Sequence, residues 1–236
     1  MPTTRDSLMK IKYKLKNIGE NIFLCTISNH YDLCMTFCRS QEFYESPYKA
    51  IRGKNFKLLD FMSLYAKDSE DGIFTYPADW VGFNIPSNVL ENLYYNPIQD
   101  INDYDHTVKE ILTKIGKNLK TKDKRYYLIA AVPNDIETIS HEIAHALYNL
   151  NKNYKKDMDA LTDSIPKPIY VKLLDTLFAL GYCKQVVKDE IQAYFSNDSY
   201  MFNDNLKLKD RKKLKKFELQ YKSVYNKYKT SLKIKI

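Results

Sequence analysis

The pattern of hydrophobic and polar positions is clearest in the second half of the chain, where it predicts a buried strand followed by an amphipathic helix. Residues 126–132 form a continuous apolar run rich in β-forming residues, which is typical of a largely buried strand. Pro133 ends this run, and Asn134 with Glu137 three residues later forms a capping-box-like pattern that starts a helix. The helix is predicted to run to about Leu150, and apolar residues at three- and four-residue spacing form its core-facing stripe: Ile136, Ile139, Ile143, Leu147 and Leu150.

The rest of the chain predicts more helices than strands. A strand is expected at 21–28, and helices are expected at 31–44, about 55–66, 86–95, 106–119, 157–164 and 169–180, with Gly181 placed to stop the last of them. The segment 72–86 contains the only tryptophan, Trp80, among other aromatic residues. We interpret this segment as a satellite core, and a wall facing a substrate is the alternative.

Composition limits the size and location of the protein. At 236 residues and 44% hydrophobic, the chain can bury one sizeable core. Residues 1–17 are charged and lack the apolar region of a secretory signal, and no apolar run approaches membrane-spanning length, so we expect no membrane association. Four scattered cysteines fit a reducing interior. We therefore expect an intracellular, cytoplasmic protein, located in the host cytoplasm or the virion if its source is a virus.

Positive charge is concentrated at the C-terminal end. Residues 207–236 hold 12 Lys or Arg against two acidic residues, whereas residues 1–206 hold 25 against 27. The segment also carries an amphipathic stripe, formed by Leu214, Phe217, Tyr221, Val224 and Tyr228. We predict a single domain at 1–206, with a metal-binding core at 126–198, and a basic amphipathic helix at 207–236 that docks on it. Contact with nucleic acid or another acidic surface is a less favoured alternative, since no nucleic-acid-binding motif accompanies the charge.

The residues at 141–145 form the motif that carries the most chemistry. They spell H-E-x-x-H, with His141 and His145 one helical turn apart, so both imidazoles can reach a single zinc ion from one helix face. Glu142 lies beside the first of them and can act as a general base toward a water activated by the metal. The alternative is a pair of core histidines held by ordinary hydrogen bonds.

Two histidines leave a zinc site incomplete, so a third ligand is required. A longer motif with a third histidine fails, because Tyr148 and Asn151 stand where glycine and histidine are required. On the helix predicted around 186–196, Glu190 falls on the apolar stripe and Asp189 on the polar stripe. A carboxylate among apolar neighbours requires a partner or a metal, so Glu190 is the predicted ligand. A buried salt bridge at Glu190, or Asp189 as the ligand, are the alternatives.

Three other residues share the spacing of a metal site. His30, Cys34 and Cys38 are four residues apart and could line one helix face as a second metal centre. The favoured interpretation is that the two cysteines are small core residues.

With H-E-x-x-H on one helix and a glutamate on a later one, residues 126–198 resemble the gluzincin group of zinc metallopeptidases. The chain is also similar to small, largely uncharacterised H-E-x-x-H proteins of viruses and archaea, a pattern that QEFYESP from Gln41 and DWVGFNIPS from Asp79 also fit. The resemblance implies an α+β, mainly helical, zincin-like domain with a small sheet beside the motif helix. It also implies a zinc ion held by His141, His145 and Glu190. The best-known gluzincins carry an aspartate that orients the first histidine where this chain has Tyr194, so that partner must come from elsewhere.

We therefore predict a zinc-dependent metallopeptidase that hydrolyses peptide or protein substrates, with Glu142 as general base. Tyr148 and Tyr194, each one turn beyond a predicted ligand, are candidates for stabilising the oxyanion. A hydrolase of other amides would use the same groups. The alternative from another class is a non-catalytic zincin-fold binding protein whose basic tail contacts nucleic acid or an acidic virion or host partner.

Overall fold

A four-stranded mixed sheet forms the centre of the protein. The computed structural model describes residues 10–119, 125–197, 199–202 and 206–236. The strands are β1 (Lys14–Gly19), β2 (Ile22–Thr26), β3 (Gly82–Pro86) and β4 (Tyr127–Ala131), in the order β1-β2-β4-β3. β1 and β2 form an antiparallel hairpin, β2 and β4 are parallel, and β3 runs antiparallel to β4 at the sheet edge. β2 and β4 correspond to the two predicted strands, whereas β1 and β3 were not predicted.

Helices cover both faces of this sheet. They are α1 (His30–Glu45), α2 (Leu58–Asp68), α3 (Tyr76–Asp79), α4 (Ser87–Tyr94), α5 (Asp103–Asn118), α6 (Ile136–Leu150), α7 (Lys152–Asp163), α8 (Lys167–Ala179), α9 (Val187–Ser196) and α10 (Leu208–Ser231). A short 3₁₀ turn spans Tyr200–Phe202. The predicted class, α+β and mainly helical with a small sheet beside the motif helix, is therefore confirmed.

The core is divided by the sheet into two clusters. Alternate residues of a strand point to opposite faces, so Ile22 and Leu24 pack with α6 to α10, whereas Phe23 and Cys25 pack with α1, α2, α4 and α5. β4 is buried along its whole length, which explains why its sequence is continuously apolar. The motif helix α6 packs on β4 and β3 and is thereby fixed relative to both halves of the protein.

The start of α6 differs from the prediction. Asn134 has a φ of 68° and does not cap the helix; the cap is Asp135, whose side chain accepts a hydrogen bond from the Thr138 backbone N–H. Asparagine tolerates this left-handed conformation, so Asn134 turns the chain between β4 and α6. Ile136 was expected in the core stripe but is 54% exposed, because it occupies the first turn, beyond the edge of the packed surface.

The basic C-terminal segment is docked. α10 packs on α9 and α7, and buries Leu214, Tyr221 and Tyr225 in the core cluster that contains the motif helix. The Tyr225 hydroxyl donates to the backbone carbonyl of Ser140 on α6, and the Lys235 N–H donates to the Ile18 carbonyl on β1. Most of its lysines are exposed on the opposite face.

Some predictions fall on residues outside the described ranges. They are the first part of the N-terminal segment (1–9), the end of the predicted metal-binding core at Asp198, and the approach to the tail at 203–205. Along the described residues, no helix has both the length and the apolar content that crossing a bilayer requires.

Candidate metal centre

The two motif histidines and Glu190 converge at a cavity between α6 and α9. Nε2 of His145 lies 3.1 Å from Nε2 of His141 and 3.7 Å from Oε1 of Glu190, and the ligating atoms of the three residues all lie within 4.8 Å of one another. Ligands at zinc-bond lengths in a tetrahedral arrangement would be separated by roughly 3.3 Å. Among the described residues, the three side chains could therefore hold one metal ion.

Two buried carboxylate oxygens at this point lack partners. Oε2 of Glu190 and Oε2 of Glu142 are buried and have no hydrogen-bond partner within the described part of the chain. Burial raises the pKa of Glu190 well above its usual range, since a charged carboxylate here is poorly solvated. Leaving such a group unpaired is costly, and two nitrogens with one carboxylate are a donor set that suits zinc. The residues therefore fit a metal ion.

The electrostatics of the two histidines also suit a cation. Burial, together with the neighbouring His145, lowers the pKa of His141 well below its usual value, so its ring stays neutral and keeps a free lone pair. Burial also disfavours a charge on His145, but Asp189, Glu190 and Glu142 outweigh this effect and raise its pKa. The anions that would favour a proton on His145 would equally favour a metal ion bound to its Nε2.

Asp189 has a different place from the one predicted. Instead of lying on a solvated stripe, its Oδ1 lies 2.8 Å from Nδ1 of His145 and accepts a hydrogen bond from Gln192. Gln192 accepts in turn from the Tyr154 hydroxyl and is fully buried. The polar stripe of α9 is partly buried because α6 and α7 supply partners for it, His145 for Asp189 and Tyr154 for Gln192, which the periodicity of a single helix does not reveal. Asp189 thus fixes the His145 ring with Nδ1–H donating and Nε2 free for a metal.

Glu142 is buried and lines the same cavity as the three candidate ligands. Burial raises its pKa to about 7, while a side-chain hydrogen bond from Asn84 lowers it. The Tyr127 hydroxyl donates to Oδ1 of Asn84, which leaves the Asn84 amide N–H groups to face the carboxylate. Gly82 permits this approach of β3 to α6, because a Cβ there would lie 2.6 Å from Oε1 of Glu142 and would also collide with Thr138.

The structure separates the two candidate tyrosines. The Tyr148 hydroxyl donates to Asp159 at 2.5 Å, and Tyr148 is not among the residues that line the cavity. Tyr194 lines the cavity, with its ring centroid 4.7 Å from that of His141, and its hydroxyl is 3.0 Å from the Tyr182 hydroxyl. Burial raises the pKa of Tyr194 to about 12, so it remains a hydrogen-bond donor at neutral pH. The oxyanion role predicted for Tyr148 therefore does not agree with its position.

Two residues of α1 that no metal-binding motif marks, Gln41 and Glu45, also line the cavity. It has a volume of about 300 Å³ and is lined by Trp80 and by Gln41 and Glu45 of α1. Trp80 stacks on Tyr76 and Phe83, so this segment is both a satellite core and a cavity wall. Burial and neighbouring carboxylates raise the pKa of Glu45 to about 8. The similarity of the segment from Gln41 to other H-E-x-x-H proteins was the one sequence signal that pointed to α1.

The second metal centre considered at His30, Cys34 and Cys38 is not assembled. Sγ of Cys34 lies 3.7 Å from Nε2 of His30, but both atoms contact the Trp80 carbonyl oxygen. Cys38 is fully buried, and the three do not form a ligating group within the described chain. The favoured assignment of the cysteines to the core agrees with this packing.

Comparisons with known proteins find no counterpart for the chain: no family model, no curated protein and no solved structure matches it.

Proposed function

We propose that this protein is a zinc-dependent peptidase, with His141, His145 and Glu190 as metal ligands and Glu142 as general base. The observation that carries the proposal is the convergence of three ligating side chains beside a buried, unpaired carboxylate at a cavity. If Glu190 were only an ordinary buried salt-bridge partner, there would be no reason for the Nε2 atoms of both histidines to face the same point.

Each residue has a distinct task in this proposal. A bound zinc ion would supply Lewis acidity toward the scissile carbonyl and lower the pKa of water near it. Glu142 would accept the proton of the attacking water and pass it to the leaving amine, which its unpaired Oε2 and raised pKa favour. The hydroxyl of Tyr194 would donate a hydrogen bond to the developing oxyanion. Asp189 would hold His145 in the tautomer that binds metal.

The shape of the site favours a polypeptide substrate over a small amide. A second cavity adjoins the first and shares Glu45, Trp80 and Tyr194 with it, so a groove extends beyond the proposed metal position. β3 lies at the sheet edge, and residues 80–82 at its start line the groove. β3 itself is buried along its length, so an extended peptide would meet the main chain near the exposed Val81.

The proposal is tested by metal content and hydrolysis together. Purified protein supplied with zinc should hold about one ion per chain, and His141→Ala should abolish this, whereas the exposed His106→Ala should not. Glu142→Gln should retain zinc but lower the hydrolysis of an unfolded protein or peptide library by at least about 100-fold. The exposed Glu110→Gln is the matched control.

The outcomes separate the candidate functions. Absence of stoichiometric metal would contradict the proposed centre itself. Stoichiometric zinc without peptide hydrolysis would instead support the non-catalytic binding protein or a hydrolase of other amides. Full activity in Glu142→Gln would show that another group is the base.

A further inference from the structure

The groove beside the proposed metal centre is strongly acidic. Its described lining includes five carboxylates, namely Glu45, Asp79, Glu137, Glu142 and Glu190, and no lysine or arginine. The adjoining cavity likewise has no lysine or arginine among its described lining residues. Burial favours the protonated form of Glu45 and Glu142, and a cationic group bound beside them would stabilise their ionised form. The groove would therefore repel an anionic group and attract a cationic one.

Gln41 adds an observation that is independent of this charge. It is 1% exposed and lines the groove, and its Nε2 donates to Oε2 of Glu45 at 3.0 Å. Because the amide N–H is committed to the Glu45 carboxylate, Oε1 is the remaining acceptor, and it has no hydrogen-bond partner among the described residues. A buried acceptor without a donor is uncommon and unfavourable, so the position calls for a donor from outside the chain.

Glu45 is the half-buried carboxylate of the groove that has no assigned task, whereas Glu137 is exposed at the rim. Glu142 and Glu190 belong to the proposed centre, and Asp79 accepts hydrogen bonds from Tyr65 and Thr75. In the described chain no lysine or arginine forms an ion pair with Glu45, although it is half-buried one helical turn from Gln41. It lines both cavities, so it lies where the groove passes from one to the other.

We propose that Gln41 and Glu45 form a subsite for a cationic nitrogen group of the substrate. The proposal rests on the peptidase function and names its substrate class: peptides that present an ammonium or guanidinium group next to the scissile bond. An ammonium group has three donors and a guanidinium five, so either can bond the Gln41 carbonyl and the Glu45 carboxylate together. Both the N-terminal amine and a Lys or Arg side chain carry this chemistry.

The test uses matched fluorogenic peptides that differ in one charge. Lysine is compared with norleucine at each position around the cleaved bond, and each peptide is made with a free and with an acetylated N-terminus. Wild type should prefer the cationic member of at least one pair by about tenfold or more in kcat/KM, mainly through KM. Loss of the preference on acetylation would assign it to the N-terminal amine, and retention would assign it to the side chain.

Two variants connect this preference to the subsite. Glu45→Gln removes the charge and Gln41→Met removes the acceptor, and each should reduce the cationic-to-neutral ratio to about one to three. Glu110→Gln, whose carboxylate is on the exposed side of α5, should keep the wild-type ratio. Zinc content and melting temperature, measured on every variant, identify any variant that has lost its metal or its fold. In that case the other of the two variants supplies the ratio.

A binding measurement keeps this inference separate from the peptidase function. Zinc-loaded Glu142→Gln protein is titrated by calorimetry with the lysine and norleucine peptides at low and high salt. Tighter, salt-sensitive binding of the lysine peptide would support the subsite even if no peptide were hydrolysed. A wild-type ratio near one, a preference for acidic peptides, or a ratio that Glu45→Gln leaves unchanged would overturn the assignment.

Discussion

The neighbouring residues Asp189 and Glu190 contact different nitrogens of His145, and this leads to a specific prediction about zinc affinity. Oε1 of Glu190 lies within 3.7 Å of Nε2 of His145 and would ligate the metal, whereas Asp189 contacts the far side of the same ring at Nδ1. Glu190→Ala would remove one of three proposed ligands. Asp189→Ala would leave all three but release the orientation of His145. Both should weaken zinc binding, and the first should weaken it more.

The magnitude follows from what each substitution removes. Loss of a hydrogen-bond partner behind a metal-bound histidine usually costs 10- to 100-fold in metal affinity, or about 1.4 to 2.7 kcal/mol. We expect this range for Asp189→Ala, and a loss beyond about 100-fold for Glu190→Ala. Asp189→Asn keeps an oxygen that can accept from Nδ1 at the observed 2.8 Å, so it should fall between wild type and Asp189→Ala.

The assay is competition for zinc against a chelator of known affinity, at a temperature well below the melting point of each variant. This precaution matters because Asp189→Ala also leaves the Gln192 amide without its acceptor, at a cost of about 1 to 3 kcal/mol in folding. Asp175→Ala, an exposed substitution on α8, is the control. A larger loss in Asp189→Ala than in Glu190→Ala would refute the reasoning and make Asp189 the ligand.

Three further predictions concern the base, the pH dependence and the tail. Gly82→Ala should lower kcat by at least about tenfold while zinc is retained, since its methyl group would displace Glu142; Gly116→Ala, where no atom lies within 4 Å of the added Cβ, should leave kcat unchanged. Burial raises the pKa of Glu42 from an ordinary 4.5 to about 7. Between pH 4.5 and pH 7 the folded protein therefore keeps a proton on Glu42 that the unfolded chain has lost. The stability that the protonated Glu42 contributes is present below pH 4.5 and is lost as the pH rises through about 7. Chemical denaturation at pH 5 and pH 8 should show that Glu42→Gln gains up to about 3 kcal/mol over wild type at the higher pH and little at the lower one. Removal of residues 207–236 should lower the melting temperature strongly, because their buried side chains complete the core beside the motif helix; an unchanged melting temperature would mean that α10 does not pack there.

The metal-binding motif and the secondary structure around it could be predicted from the sequence alone. The spacing of His141 and His145 places both rings on one face of any α-helix, and the strand and helix around them follow from short-range periodicity and a proline stop. The register of α9 correctly buries Glu190, because an isolated acidic residue in an apolar stripe is unusual enough to be informative. These features depend on residues within a few turns of one another.

Only the tertiary structure decided what surrounds this motif. Periodicity predicts a solvent-facing Asp189, but α6 packs on α9 and makes Asp189 the partner of His145. Gln41 and Glu45 lie about 100 residues before the motif, and packing of α1 on the sheet brings them to the groove. Tyr148 and Tyr194 each follow a predicted ligand by about one helical turn. Tyr148 nevertheless donates its hydrogen bond to Asp159, whereas Tyr194 lines the cavity. Helix geometry is fixed by bonds between near neighbours, whereas the surroundings of a side chain depend on which distant elements pack over it, and a single sequence does not encode that in any local pattern.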